Sequence, residues 1–218
     1  MREVWLIRHG ESAGNAGAAT SAPASIPLTD RGRAQARRVA ACVTRRPDLL
    51  ASSPYLRARL TAAPLRARYP DVPYQEWAVQ EFTYLAPARC RDTTFDERKP
   101  LVAAYWARGE PHHCDGAGAE SFAAFCARVR AAAERLARGD YEFAVLFSHG
   151  QFIRALLWLL LSEPGEIGGE AMRAFHAFLQ AVPMPNAALL QLRLGPEPGA
   201  HYFSGIVKAH LPAELLTG

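Results

Sequence analysis

Short apolar runs alternate along the chain with longer amphipathic stretches. The apolar runs have the length of β-strands and are EVWLIR (3–8), DLLAS (48–52), PYQEW (73–77), EFAVLFS (142–148), ALLQLRL (187–193) and HYFSGIVK (201–208). Between them, apolar residues recur with the period of a helix over about 30–45, 53–69, 96–108, 120–139, 150–161 and 166–180. This alternation predicts an α/β fold, a three-layer sandwich in which helices flank a mostly parallel central sheet.

Local signals mark the ends of the predicted helices. Thr29 is placed to cap the first helix, and Ser53 followed by Pro54 is a favourable cap and first position for the second. Segment 78–118 has the weakest pattern, with mixed polar and aromatic residues and recurrent Pro and Gly. A stretch this long between regular elements usually carries function. We expect residues 1–218 to form one domain in which 78–118 is a lid or a wall of the binding cleft.

Composition and charge exclude several classes of protein. Half of the 218 residues are hydrophobic and 21% are charged, which is typical of a globular protein. The densest apolar run, 152–161, is shorter than the roughly 20 residues that cross a bilayer, so no membrane association is expected. The net charge of +4 comes from basic residues scattered among acidic ones, which argues against nucleic acid as a partner. Arginines that face a cleft favour a small anionic substrate instead. Nothing in the pattern indicates an oligomeric state.

The cysteines indicate neither a disulfide framework nor a zinc ribbon. They are widely spaced along the chain, at Cys42, Cys90, Cys114 and Cys126. We expect reduced thiols, and an N-terminus that enters a strand directly instead of a secretion signal predicts a cytoplasmic protein. Residues 112–115 (HHCD) are of types that bind metals, but no second cluster with ligand spacing follows. No metal site is therefore predicted.

Three motifs follow the ends of predicted strands. Arg8-His9 closes the first strand, Arg57 comes early in the helix after the second, and His149 follows the strand at 142–148. Ligands of open α/β sheets bind at the carboxyl ends of the strands, beside helix N-termini that attract anions. Paired arginines neutralise phosphate, and a neutral imidazole attacks phosphorus as a nucleophile. The pattern indicates phosphoryl transfer, which still needs an acid for the leaving group.

The motifs occur in an order that resembles the histidine phosphatase superfamily, with its phosphoglycerate mutase-like fold, over most of the chain. The matching stretches are LIRHGESAGN (6–15), PLTDRGRAQA (27–36), SSPYLRARLTA (52–62), SHG (148–150) and PN (185–186). The resemblance implies that His9 is the nucleophile and that neither a cofactor nor a metal is needed. It places Arg8, Arg57 and His149 around the phosphoryl group. It adds Asn15 as a further phosphate ligand, although an asparagine there also fits a turn residue that bonds its own backbone.

The resemblance also implies a glutamate that acts as the general acid, placed after the third strand in the variable segment. Glu81 occupies that position. Glu76 is the competing candidate, but it lies inside the predicted strand at 73–77. Glu81 is therefore preferred as the acid.

Departures from the family pattern favour a phosphatase over a mutase. Phosphoglycerate mutases usually follow the glutamate with an R-H-Y-G-like stretch, whereas this chain has FTYL at 82–85. The stretches EFTYL, DTTFDERKP and GAESF resemble a bacterial branch described as phosphatases. The expected function is a phosphomonoesterase that hydrolyses a small phosphorylated substrate through a phosphohistidine. The alternatives are mutase-type phosphoryl transfer and an inactive binding module on the same fold.

Overall fold

The structure, a computed structural model, describes residues 1–195 and 201–218. Its strands form one sheet and are β1 (Arg2–Arg8), β2 (Leu49–Ser52), β3 (Tyr74–Glu76), β4 (Phe143–Ser148), β5 (Leu189–Leu194) and β6 (His201–Val207). Its α-helices are α1 (Asp30–Cys42), α2 (Leu56–Arg68), α3 (Phe95–Arg108), α4 (Phe122–Arg138), α5 (Gly150–Ser162) and α6 (Gly169–Ala181). Each predicted strand and helix is present, with ends within a few residues of the sequence pattern.

The sheet is mixed, with the strand order β3-β2-β4-β1-β5-β6. β1 pairs in parallel with β4, β4 with β2, and β2 with β3. β5 is antiparallel to β1, and β6 is antiparallel to β5. The carboxyl ends of the four parallel strands therefore meet at one edge, and the predicted α/β sandwich with a mostly parallel sheet is confirmed.

Alternate side chains of the central strands enter two separate cores, as the pleat of a strand requires. Leu6 and Leu146 belong to the core covered by α3, α4, α5 and α6. Ile7 and Val145 belong to the core under α1 and α2. The central strands are thus buried on both faces, which accounts for their nearly continuous apolar sequences. In the described part of the chain, no helix is long and apolar enough to span a membrane.

The predicted caps of the first two helices have different outcomes. Thr29 caps α1 as expected, and its side chain accepts a hydrogen bond from the amide of Gly32. The predicted cap at Ser53 is wrong, because α2 begins at Leu56 without any side-chain cap. The Ser53 hydroxyl lies instead 2.8 Å from a nitrogen of His149. The hydroxyl accepts a local hydrogen bond from the amide of Tyr55 over 3.2 Å, but it contacts a distant strand end and does not cap the helix.

Segment 78–118 contains more structure than its sequence pattern indicates. A 3-10 turn at Pro87–Cys90 precedes α3, and Thr94 and Glu97 form a capping box at the start of that helix. Aromatic side chains from its irregular portions pack on α4, with the rings of Phe82 and Phe125 stacked 4.3 Å apart. These apolar residues lie on irregular backbone, so their spacing along the sequence follows neither the helical nor the strand period. The segment is consequently anchored to the larger core.

We expect Phe125→Ala to destabilise the fold by about 3–5 kcal/mol, because a fully buried ring would leave a cavity that its neighbours fill only partly. Urea unfolding of both proteins measures the loss. Phe95→Ala is the matched control, because that ring is 59% exposed and its removal creates no internal cavity. Equal losses for the two variants would contradict the packing described here.

Candidate active site

Two histidines meet at the carboxyl edge because β1 and β4 are adjacent and parallel. The register pairs Arg8 with Ser148, so that the residue after each strand is a histidine. The amide of His9 donates to the carbonyl of Ser148 over 3.0 Å, which extends the ladder by one bond. The imidazole centroids of His9 and His149 lie 5.1 Å apart, and both rings are buried. The predicted convergence of the two histidines is therefore present.

The hydrogen bonds of His9 fix its tautomer. Nδ1 lies 2.7 Å from the carbonyl oxygen of Gly10, which only accepts, so Nδ1 carries the proton. Nε2 therefore has the lone pair, and Arg57 Nε donates to it over 3.0 Å. Burial, followed by the charges of Arg57 and Arg8, lowers the pKa of His9 well below its usual value. At neutral pH the ring is uncharged and nucleophilic at Nε2.

His149 is held by a hydroxyl that sequence reasoning assigned elsewhere. Its Nε2 lies 2.8 Å from Ser53 Oγ, which also accepts a hydrogen bond from the amide of Tyr55. Its Nδ1 is buried and has no hydrogen-bond partner among residues 1–195 and 201–218. Burial and the charge of Arg57 lower the pKa of His149 well below its usual value. The ring is thus oriented and neutral, and one of its nitrogens has no partner among the described residues.

Arg57 reaches the edge from the first turn of α2. Its Nη1 donates to the carbonyl of Pro23 over 2.6 Å, and its guanidinium lies 5.0 Å from the ring centroid of Tyr55. Thr61, one turn later, accepts from the amide of Gly10 and donates to the Arg57 carbonyl. Burial lowers the pKa of Arg57. The start of α2 and the loop after β1 are therefore tied together around this guanidinium.

Arg8 presents a second guanidinium to the same site. Its Nη1 donates to the carbonyl oxygens of Met184 and of Gly218, the latter over 2.7 Å. Its Nε is buried and, within the described residues, has no partner. Burial lowers the pKa of Arg8 to about 10, so the group stays cationic at neutral pH. The guanidinium is thus anchored through Nη1, and it lines the cleft described below.

Glycine is required where the start of α1 touches the loop after β1. A Cβ added to Gly10 would lie 2.6 Å from the carbonyl oxygen of Gly32, and one added to Gly32 would lie 2.0 Å from that of Glu11. Each distance is shorter than any real contact of a Cβ atom. This close approach explains why glycine follows Arg8-His9 and recurs at the start of α1.

The residues before Glu81 are fixed from two sides. Arg128 of α4 donates from Nη1 to two carbonyl oxygens of segment 78–80, over 3.1 and 2.9 Å, and the Ser148 hydroxyl donates to a third over 2.6 Å. The other nitrogens of Arg128 form a two-bond ion pair with Glu120, at 2.8 and 2.7 Å. Glu120 therefore serves this ion pair, and helix α4 begins after it. The variable segment enters the site on a rigid support.

Glu81 and Glu76, the two candidate acids, lie in different places. Glu81 Oε1 accepts hydrogen bonds from the amide of Gln151 at the start of α5 over 3.1 Å and from the amide of Phe82 over 3.2 Å. Glu76 lies at the end of the edge strand β3 and pairs with Arg59 on the surface over 3.5 Å. Only the first carboxylate lines a cavity together with Arg8. The structure thus brings Glu81 to the cluster and leaves Glu76 outside it.

Asn15 lies at the rim of the cluster. Its side chain is exposed, and its Oδ1 accepts from the amide and the hydroxyl of Ser12 over 3.2 and 2.9 Å. It also lines the cleft that contains Arg8 and Glu81. The turn interpretation of this asparagine is therefore observed, and its role as a phosphate ligand stays a prediction.

Three participants are absent from the sequence-based prediction: the Ser53 hydroxyl, the Gln151 amide and Arg154. Arg154 lines the cleft with Arg8, and its Nε and Nη1 donate to carbonyl oxygens of α5 and of the end of α6. The position of this arginine, as a charged residue inside the apolar run 152–161, was the sequence signal that could have indicated its role. A backbone amide and a hydroxyl give no such signal.

The cleft beside Arg8 has a volume of about 820 Å³. Arg8 and Arg154 line it together with the carboxylates of Glu81 and Asp96, while Arg57 lines a smaller cavity that also contains Glu81. Within the described residues, no three His, Cys, Asp or Glu side chains form a metal-binding group. At the HHCD stretch, Asp115 pairs with Arg89 and accepts from the amide of Ala86. The arrangement is suited to binding an anion next to a nucleophilic nitrogen.

Comparison with known proteins agrees with this chemistry. Residues 4–193 match the family model of the histidine phosphatase superfamily (branch 1). An adenosylcobalamin/alpha-ribazole phosphatase of Salmonella typhimurium is 30% identical over 168 residues, which are 74% of this chain and 80% of that protein. The structure of a putative alpha-ribazole-5'-P phosphatase from Escherichia coli has a TM-score of 0.73 at 23% identity and covers 95% of this chain and 96% of its own.

A mycobacterial glucosyl-3-phosphoglycerate phosphatase complexed with VO3 is 25% identical, with a TM-score of 0.69 over 93% of this chain and 96% of its own. The chain therefore belongs to the histidine phosphatase superfamily. It is a phosphoric monoester hydrolase of that class, as the resemblance at the sequence level implied.

We expect the two buried histidines to make the stability depend on pH. Their pKa values lie well below 6.5, so below that pH the unfolded chain binds protons that the folded chain does not. The contribution to the unfolding free energy is complete above about pH 6.5 and falls below it by about 1.4 kcal/mol per pH unit for each histidine. Urea unfolding from about pH 7.5 to pH 5 measures the slope.

His149→Gln should reduce that slope, because one buried imidazole no longer has to gain a proton on unfolding. His112→Gln is the matched control, since His112 is exposed on the surface. An unchanged slope in the His149 variant would contradict a neutral buried ring at that position.

Proposed function

We propose that the enzyme hydrolyses a small phosphomonoester through a covalent phosphohistidine at His9. The observation that supports this most strongly is the pair of hydrogen bonds on the His9 ring. Nδ1 is bonded to the carbonyl of Gly10, which leaves the lone pair on Nε2 beside two guanidinium groups. A nucleophile of this kind needs a neutral ring, and burial among cations supplies one.

In the proposed first step, the phosphoryl oxygens accept hydrogen bonds from Arg8, Arg57 and His149. The N–H of Arg57 that here points to His9 Nε2 turns to a phosphoryl oxygen and frees the lone pair. Nε2 then forms a bond to phosphorus while the bond to the ester oxygen breaks. The unpartnered Arg8 Nε and His149 Nδ1 support this assignment, because both are buried donors or acceptors with no protein partner in the described residues.

Glu81 is the proposed general acid and base. It donates a proton to the departing alkoxide, and it takes a proton from the water that attacks the phosphohistidine in the second step. The P–N bond breaks, inorganic phosphate leaves, and neutral His9 is restored. Transfer to water instead of to a second alcohol distinguishes this cycle from mutase-type transfer, which would yield an isomerised ester without net phosphate release.

We propose that neither a metal nor a cofactor takes part, because the arginines and His149 neutralise the phosphoryl charge. Residues 1–218 are proposed to act as one domain, with segment 78–118 forming the wall that selects the leaving group. Glu81, Tyr84, Phe95 and Val102 line both the cleft beside Arg8 and the smaller cavity beside Arg57, which supports that role. Free cysteines throughout the described chain agree with a cytoplasmic location.

His9→Ala is expected to abolish turnover and covalent labelling, because the fold retains its pocket but lacks the attacking nitrogen. Wild-type protein mixed with a ³²P-labelled ester and quenched in alkali should retain acid-labile, base-stable label. His112→Ala, a surface change, should label normally. Label that persists in the His9 variant would assign the nucleophile to another residue.

Glu81→Gln is expected to slow hydrolysis of alkyl phosphates by about 10²–10⁴-fold, the usual contribution of general acid–base catalysis. Phosphorylation of His9 by p-nitrophenyl phosphate should suffer much less, because p-nitrophenolate leaves without a proton. Single-turnover rates across leaving groups of different acidity make the comparison. Glu76→Gln serves as the control, and an equal loss for every leaving group would remove Glu81 from the role of acid.

A further inference from the structure

A second, smaller cavity of about 180 Å³ lies beside Arg57 and Glu81, which form part of its wall. Most of the remaining wall is apolar or aromatic and includes Pro23, Ile26, Tyr84, Leu85, Phe95 and Val102. It adjoins the larger cleft and shares Glu81, Tyr84, Phe95 and Val102 with it, whereas Arg8, Asp96 and Arg154 line the larger cleft alone. An apolar pocket next to two charged groups of the reaction centre has no role in binding the phosphoryl oxygens themselves.

The pocket is built in advance, since its walls are tied to each other. The amide of Thr20 donates to the carbonyl of Thr93, and the carbonyl of Thr20 accepts from the amide of Asp92, both over 3.1 Å. Arg98 Nη2 donates to the Thr20 hydroxyl over 3.1 Å. These bonds join loop 20–26 to the segment before α3 across the pocket. A ligand would meet a formed site and need not order a loop.

The position of the pocket selects the part of the substrate that enters it. In-line transfer to His9 Nε2 places the ester oxygen on the far side of phosphorus, where Glu81 protonates it. The group attached to that oxygen therefore extends past Glu81. This carboxylate also lines two larger cavities, but of the three the small cavity is the one whose wall contains Arg57 as well. The carbon skeleton of the leaving alcohol thus meets apolar side chains directly after its oxygen.

The volume of the pocket limits what fits. An engineered apolar cavity of about 150 Å³ in another protein binds benzene. A cavity of about 180 Å³ therefore has room for one six-membered ring or a branched alkyl group of similar size. Tyr84 and Phe95 provide aromatic faces, which favour a planar ring by edge or stacked contact.

We propose that this pocket binds a ring-sized apolar group, attached close to the ester oxygen, on the alcohol that leaves. The inference rests on the proposed phosphatase function and names the class of its substrate: phosphomonoesters of arylmethyl or comparably compact apolar alcohols. The ring takes no part in bond making or breaking. It contributes binding that is retained in the transition state, and so it raises kcat/KM.

Benzyl phosphate and methyl phosphate make the direct comparison, because their alcohols have similar acidity and differ by the ring. Burial of a phenyl group predicts a kcat/KM about 10- to 100-fold higher for the benzyl ester. Equal values for the two esters, or a preference for methyl phosphate, would overturn the proposal.

Two substitutions of Ile26 test the location in opposite directions. Ile26→Trp fills the pocket and should bring the benzyl-to-methyl ratio close to one. Ile26→Ala enlarges it and should raise the rate for 1-naphthylmethyl phosphate relative to the benzyl ester. Ala22→Trp, which adds the same side chain to an exposed position of the same loop outside the pocket, is the matched control and should keep the wild-type ratio. Ratios that do not respond to either Ile26 variant would place the ring elsewhere, such as the larger cleft.

Binding of phosphonates separates this proposal from the proposed catalysis. Benzylphosphonate and methylphosphonate are not hydrolysed, and calorimetry gives their Kd values with wild-type protein and with the three variants. If neither ester releases phosphate, the phosphatase proposal fails, yet a benzyl preference that Ile26→Trp removes would still establish the ring pocket. If both esters are hydrolysed and the two phosphonates bind equally, the pocket proposal fails alone.

Discussion

Parallel hydrogen bonding between β1 and β4 brings the two histidines of the candidate site together. The register that pairs Arg8 with Ser148 makes both strands end at the same level, so the next residue of each is a histidine at one edge. A shift by one residue would turn one imidazole to the opposite face of the sheet. Buried apolar side chains on both faces hold this register, so that the stability of the core and the geometry of the site have a common origin.

The buried arginines of this site influence the protonation of the neighbouring histidines. Burial of the Arg8 and Arg57 guanidinium groups would be unfavourable if they had no partners. Backbone oxygens accept their hydrogen bonds, and the nearby carboxylate of Glu81 offsets part of their charge. Burial, together with the charges of these arginines, lowers the pKa of His9, which keeps Nε2 unprotonated. In the proposed reaction, an arriving phosphate adds negative charge beside these arginines. The site is thus electrostatically prepared for an anion before it binds one.

Arg128 connects segment 78–118 to this cluster of charged groups. It lies on α4, pairs with Glu120 and holds the backbone that leads to Glu81. Beyond Glu81, the same segment packs its aromatic rings on α4 and forms one wall of both cavities. A change of side chains in this segment can therefore alter the space around the leaving group without moving the phosphoryl site.

The sequence by itself determined the strands and helices, the convergence of Arg8, His9, Arg57 and His149, and the family. Those features depend on short periodic patterns and on residues directly after strand ends, which are local signals. The tertiary structure alone decided that the Ser53 hydroxyl contacts His149, which lies 96 residues away in the chain. It also decided that Arg128 supports segment 78–80. It also decided the volume of the small pocket between loop 20–26 and α3. These depend on packing between distant segments, for which one sequence carries no period and no spacing.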